Sequence, residues 1–144
     1  MYYVNQEQID ARLRFMPTVA EALRQLAAWN EEPSLLVSLA EERALQLAIE
    51  AVTDVGSLLI DGFMMRDASS YEDIIDVLHI EGVLPEDEAA GLRALIALRR
   101  PLMQEYMDWK RGALRDDLAR TADLLDRFPP LVESFIRKEL QPFA

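Results

Sequence analysis

The sequence predicts an all-α protein: an antiparallel up-and-down bundle of five to six helices in a single domain spanning residues 1–144. Three observations carry that expectation. Apolar residues recur at helical spacing through most of the chain, and no stretch shows the strict alternation of a half-buried strand. The breaks between periodic segments are short enough to join antiparallel neighbours. A chain of 144 residues buries roughly 70% of its unfolded surface, enough for a core without covalent cross-links.

Ile9, Leu13, Met16, Ala20, Leu23 and Ala27 advance by steps of four and three, which keeps them on one face of a first helix. Asn5, with Gln8 three positions on, supplies the N-terminal cap, and Pro17 predicts a kink. Asn30-Glu31-Glu32-Pro33 ends this helix. Ser38-Leu39-Ala40-Glu41 reads as a capping box opening a long helix to about Asp61, with Gly62 at its end. At its rise per residue that helix is on the order of 35 Å long, the backbone of the domain.

Ser69-Ser70-Tyr71-Glu72 opens a short third helix to about Ile80, and Gly82 stops it. Pro85 sits in the first turn of a fourth, where Glu86, Asp87 and Glu88 favour the positive dipole end; this helix is expected to reach about Arg99. Pro101 either begins a fifth helix or kinks a continuous one. Leu102, Tyr106, Trp109, Ala113, Leu118 and Leu125 keep approximate helical spacing to Arg127, after which Phe128-Pro129-Pro130 is expected to end the helix. Leu131, Val132, Phe135, Ile136 and Leu140 then suggest a short amphipathic C-terminal helix.

Composition narrows the chemistry. There is no cysteine and one histidine, His79, so thiolate catalysis, zinc-thiolate sites and a His pair are excluded. Five scattered glycines make no nucleotide cradle, and neither a cofactor nor a metal is expected. The start, Met1-Tyr2-Tyr3-Val4-Asn5, has no signal-peptide pattern and no apolar run approaches a membrane span, so a cytoplasmic protein is expected.

A net charge of −11 disfavours membranes and non-specific nucleic-acid binding, and no DNA partner is expected. The charge is uneven: residues 1–72 carry −7 and residues 73–144 carry −4. Arg99, Arg100, Lys110, Arg111, Arg115 and Arg120 gather around Tyr106 as a candidate basic strip.

Two groups of residues stand out. Arg99 and Tyr106 are seven apart and share a helix face, whereas Gln104 lies about 140° from Arg99. The three converge only if Pro101 bends or restarts the helix. Glu50, Asp54, Ser57 and Asp61 step by four, three and four, forming a polar stripe on the long helix that either faces solvent or lines a cleft. His79, at the end of the third helix, fits a favourable contact with the negative dipole end.

The segment Arg99-Arg100-Pro101-Leu102-Met103-Gln104-Glu105-Tyr106, together with Ile49-Glu50-Ala51-Val52-Thr53-Asp54-Val55-Gly56-Ser57-Leu58-Leu59-Ile60, resembles the HepT-like family of HEPN domains, particularly its YutE-like branch. The resemblance covers about residues 2–140. It implies a homodimeric toxin-type protein of a toxin–antitoxin pair, with an MntA-type nucleotidyltransferase partner that adds AMP to the motif tyrosine, here Tyr106. It also implies a metal-independent endoribonuclease site centred on Arg99, the residue at 104 and Tyr106, with a Glu and an Asp of the long helix facing the arginine; Glu50, Asp54 and Asp61 of the polar stripe are the candidate cleft lining.

The motif histidine is replaced by Gln104, which hydrogen-bonds but exchanges no proton near neutral pH. Pro101 and Arg100 are further departures. Two expectations stay open: a ribonuclease weakened by Gln104, or a non-catalytic HEPN-derived dimerisation or nucleotide-binding module.

Overall fold

The computed structural model describes residues 2–108 and 110–141. Its described residues form helices, turns and connecting loops, with no strand. Asn5 caps α1 (Gln6–Ala27), accepting from the Gln8 amide, and the helix continues through Pro17. The long central helix, α2 (Leu35–Gly62), begins earlier than the capping-box reading suggests. Ser34 is the cap, accepting from the Val37 amide, and Ser38 is buried inside the helix. The exposed Leu35 and Leu36 of its first turn lie off the apolar face, which is why periodicity concealed them.

Ser70 caps α3 (Tyr71–Ile80), and Gly82 follows with a left-handed φ of 86° that a side chain would strain. Helix α4 (Glu86–Ile96) ends three residues short of the expected Arg99. Leu98 closes back on the Leu95 carbonyl, and a separate five-residue helix, α5 (Arg99–Met103), follows.

The expected continuous helix to Arg127 does not form. After α5 the Gln104 and Glu105 amides both donate to the Arg100 carbonyl, and described residues 104–114 run as turns, with Gly112 at φ 85°. Tyr106, which the spacing puts on the apolar stripe, is exposed, and so is Met107. Trp109, assigned to the same stripe, lies outside the described residues.

A single 3-10 turn (Arg115–Asp117) leads into α6 (Leu118–Leu140), which runs straight through Pro129 and Pro130. The predicted stop is therefore wrong. The two prolines remove two helical donors, but Leu118, Ala122, Leu125, Phe128, Val132 and Phe135 form one buried stripe across them. Burying that stripe outweighs the lost bonds.

Helices α1 and α6 pack on each other and on α2, while α3 and α4 pair alongside. The result is an antiparallel helical bundle around one core that includes Ile9, Met16, Leu45, Ile49, Leu59, Leu78, Leu92 and Phe128.

At Gly56 a Cβ would lie 2.4 Å from Cγ2 of Ile74, a stiff β-branched methyl on α3. Alanine there gains about 0.5–1 kcal/mol of helix propensity, yet overpacking costs about 1–3 kcal/mol. We expect Gly56→Ala to lower the unfolding free energy by about 1–2 kcal/mol in a urea titration, the steric cost prevailing.

Candidate functional site

The start of α5 stands beside the start of α3. Pro101, at the third position of α5, and the break at Ala97-Leu98 set Arg99 at the head of a separate helix. The Arg99 guanidinium lies over the Tyr71 ring, 3.6 Å from its centroid. Such stacking is worth about 0.5–2 kcal/mol, rising as water is excluded. Arg99 Nε is buried and makes no hydrogen bond. Among the described residues no carboxylate lies within ion-pair distance of Arg99.

Arg99, Arg100, Gln104, Tyr71 and Glu72 line an open cavity of about 320 Å³. The restart of the helix thus brings Arg99 and Gln104 together, as their convergence required. Tyr106 is not among the lining residues; it sits on the turn beyond α5, 54% exposed. Arg100 also pairs with Glu105 at 3.5 Å.

Tyr71 is the residue that sequence reasoning missed. Its sequence context marks only a helix start, and no local signal connects residue 71 with residue 99. Tyr71 also borders a second cavity, of about 410 Å³, lined by Ser57, Ile60, Asp61, Ala68, Ser69, Ser70 and Ile74.

The polar stripe of α2 divides. Asp54 pairs with Arg12 of α1 at 3.3 Å, Ser57 and Asp61 line the second cavity, and Glu50 is half-buried. The stripe therefore does not face Arg99 as a unit within the chain. Arg12 reaches Asp54 from α1, and the aromatic face of Tyr71 holds Arg99 instead.

The basic strip is smaller than the sequence suggests. Arg111 pairs with Glu42 at 3.2 Å, Arg120 with Asp117, and Arg115 with the buried Glu41 at 2.7 Å. Arg115 also donates to the Leu26 and Trp29 carbonyls, so it joins α2, the end of α1 and the segment after α5. Burial pushes the Glu41 carboxyl up from its ordinary value, and Arg115 opposes that rise. These arginines are held in ion pairs that anchor the chain; Arg99 and Arg100 are the guanidiniums that line the cavity containing Gln104.

His79 belongs to a different place. Nδ1 meets the Leu84 carbonyl at 2.9 Å and Nε2 meets Glu86 at 3.0 Å, linking α3 to α4. Eight residues separate it from Tyr71, roughly 12 Å along the helix, so it does not replace the motif histidine. Among the described residues no three His, Asp or Glu side chains gather as a metal site would need.

A family model described as "Ribonuclease HepT-like" matches residues 21–132. The chain belongs to this family. YutE of Bacillus subtilis (strain 168), provisionally named an RNase, is 35% identical over all of this chain and 98% of its own length. A solved structure of YutE, described as a cytosolic protein of unknown function, has a TM-score of 0.86, covering 100% of this chain and 99% of that one.

At 12% identity, a tri-AMPylated Shewanella oneidensis HEPN toxin solved with its MNT antitoxin has a TM-score of 0.75, covering 88% of this chain and 96% of that one. That likeness speaks for the fold of this HepT-like chain, a helical bundle. Among its described residues no helix is long and apolar enough to cross a membrane.

The rim of the second cavity hangs on Asp73. Its carboxylate accepts from both terminal nitrogens of Arg66, at 2.7 and 2.9 Å, and from the Ser69 amide and hydroxyl. The Arg66 bonds, then the Ser69 amide, hold this carboxyl far below the usual range. A depressed pKa gives stability that is present above the ordinary Asp value and lost as pH falls through the folded one. Thermal unfolding should therefore show Asp73→Ala less stable than the parent at neutral pH, with the gap closing as pH falls below 4 toward that folded value.

Proposed function

We propose that this HepT-like protein is an RNA-binding toxin-type protein whose endoribonuclease chemistry is held back by Gln104. A nucleotidyltransferase partner of the MntA type would control it through Tyr106. One observation carries the reading: Arg99 is held on an aromatic ring, without a carboxylate partner, at the edge of an open cavity that also contains Gln104. A guanidinium so placed keeps its charge for a phosphate, and it stabilises the charge that develops when a ribose 2′-hydroxyl attacks phosphorus.

Gln104 donates and accepts hydrogen bonds and so orients the phosphate, but it neither takes the 2′-hydroxyl proton nor supplies one to the leaving oxygen. No metal enters this scheme. The AMPylated state of the Shewanella toxin and the 54% exposure of Tyr106 support the phenol as acceptor of the nucleotidyl group. Glu50, Asp54 and Asp61 would belong to the cleft wall, with DNA and membranes left out as partners and the cytoplasm as the place of action.

The absent imidazole favours a second reading. In it the domain is a non-catalytic module for dimerisation or nucleotide binding that still engages the transferase. Both readings place two copies of the chain together. Leu36 and Met107, each 76% exposed, are apolar groups that a twofold contact would cover. Sedimentation at micromolar concentration should give a dimer of twice 16.4 kDa; a monomer would count against it.

Losing general acid–base help slows such reactions by about 10²–10⁴-fold. Purified protein should accordingly cut structured and single-stranded RNA barely or not at all in the presence of chelator. Gln104→His should raise that rate measurably, and adding Arg99→Ala should abolish the gain. Robust cutting by the parent that vanishes in Arg99→Ala would show Gln104 to be no barrier. A blank for Gln104→His would favour the binding module.

A further inference from the structure

The two cavities that meet at Tyr71 differ in chemistry. On one side Arg99, Arg100 and Gln104, with Glu72, offer two guanidiniums and an amide, groups suited to phosphate oxygens. On the other, Ser57, Asp61, Ser69 and Ser70 stand over an apolar floor that includes Ile60 and Ile74, and no cation lines the space. That side offers a phosphate no countercharge and, through Asp61, opposes one. Its volume of about 410 Å³ lies within the range of small-molecule pockets, and its mixture of apolar wall and few polar groups suits a neutral, hydroxyl-bearing, flat ligand.

Asp61 narrows the ligand further. Among the described residues it makes no ion pair and no side-chain hydrogen bond, and a carboxylate only accepts. Exposed on the cavity wall, it is an acceptor within reach of a bound ligand's donor, such as a ribose hydroxyl. The 2′-hydroxyl is also the group that distinguishes RNA from DNA.

We propose that Tyr71 is the shared wall of one ribonucleotide site for RNA. Arg99, seated on its ring, takes the phosphate. The cavity of Ser57, Asp61, Ser69 and Ser70 takes the attached ribonucleoside, and Asp61 accepts from the sugar hydroxyl. The proposal rests on the reading of RNA as the ligand and adds where the nucleoside goes and which residues select the sugar.

The test titrates ¹⁵N-labelled full-length protein with hexaadenylate RNA, its deoxy counterpart, AMP and inorganic phosphate, each followed by NMR. RNA should bind about tenfold more tightly than the deoxy strand, the worth of one hydrogen bond to a charged acceptor. It should move the Ser57, Ser69 and Arg99 Nε resonances together, while inorganic phosphate moves only those of Arg99 and Arg100. Ser57→Leu fills the cavity and should weaken RNA about tenfold without altering the phosphate response. Asp61→Ala should erase the preference for RNA over the deoxy strand. Tyr71→Leu should shift the Arg99 Nε resonance and weaken both ligands, and Tyr71→Phe should restore both.

RNA binding that ignores Ser57→Leu and keeps its sugar preference in Asp61→Ala would overturn the nucleoside assignment. If that binding still disappears in Arg99→Ala, the RNA reading stands. Binding indifferent to Arg99→Ala, or no RNA binding at all, would overturn the RNA reading itself. AMP binding as tightly as hexaadenylate would assign the site to free nucleotides and overturn RNA as the occupant.

Discussion

Everything in this molecule is arranged around the burial of α2. Half of its 28 residues are withdrawn from water, and α1, α3, α5 and α6 all pack against it. Each buried Leu, Ile or Val contributes roughly 1.5–3 kcal/mol, so the helix has many ways to hold its neighbours and little freedom to shift. That rigidity also admits polar groups. Thr53 returns its hydroxyl to the Ile49 carbonyl at 2.8 Å, and Glu41, 1% exposed, is tolerated because Arg115 reaches it. The same arginine ties down the irregular segment after α5, so the turn that carries Tyr106 is fastened at one end to the central helix.

The site follows from the partner chosen for one cation. In a protein with 26 acidic residues, an arginine is most easily held by a carboxylate, and Arg12, Arg24, Arg66, Arg93 and Arg115 are all held that way. Arg99 is not. An aromatic face orients a guanidinium without cancelling its charge, leaving its hydrogen-bonding edge for an incoming anion. Tyr71 is placed for this because Ser70 fixes the first turn of α3 and the Asp73 clamp on Arg66 and Ser69 fixes the loop before it.

Much of the fold was legible because local signals and burial agree. The four-and-three stepping of α1, the Ser70 cap and Gly82 each need only a few neighbouring residues to interpret. The errors arose where tertiary contacts decide. Pro129-Pro130 looks like a stop until one sees that the stripe from Leu125 through Phe128 to Val132 keeps its phase across it. Tyr106 looked like core because it continues a spacing, yet the chain had already left the helix at Gln104. In the site, Arg99 and Gln104 were visible through the motif that contains them. Tyr71 was not, since its meaning depends on a contact with a residue 28 positions away. The ion pairs that remove Arg111, Arg115 and Arg120 from the basic strip are hidden for the same reason.

The pairing of α1 with α6 bears on how the protein is made. Arg24 binds Asp123 and Asp126, partners 99 and 102 residues later, and Tyr2 reaches Glu139. Until α6 has left the ribosome, α2 alone packs on α1, and the part of its apolar face that α6 would cover stays open. Closing so long a loop draws its reward only when the whole stripe docks. A nascent or prematurely terminated chain is thus left with an open apolar face, material for chaperones and proteases rather than a partly working domain. Assembly of the Arg99 site is in this way tied to completion of translation through α6.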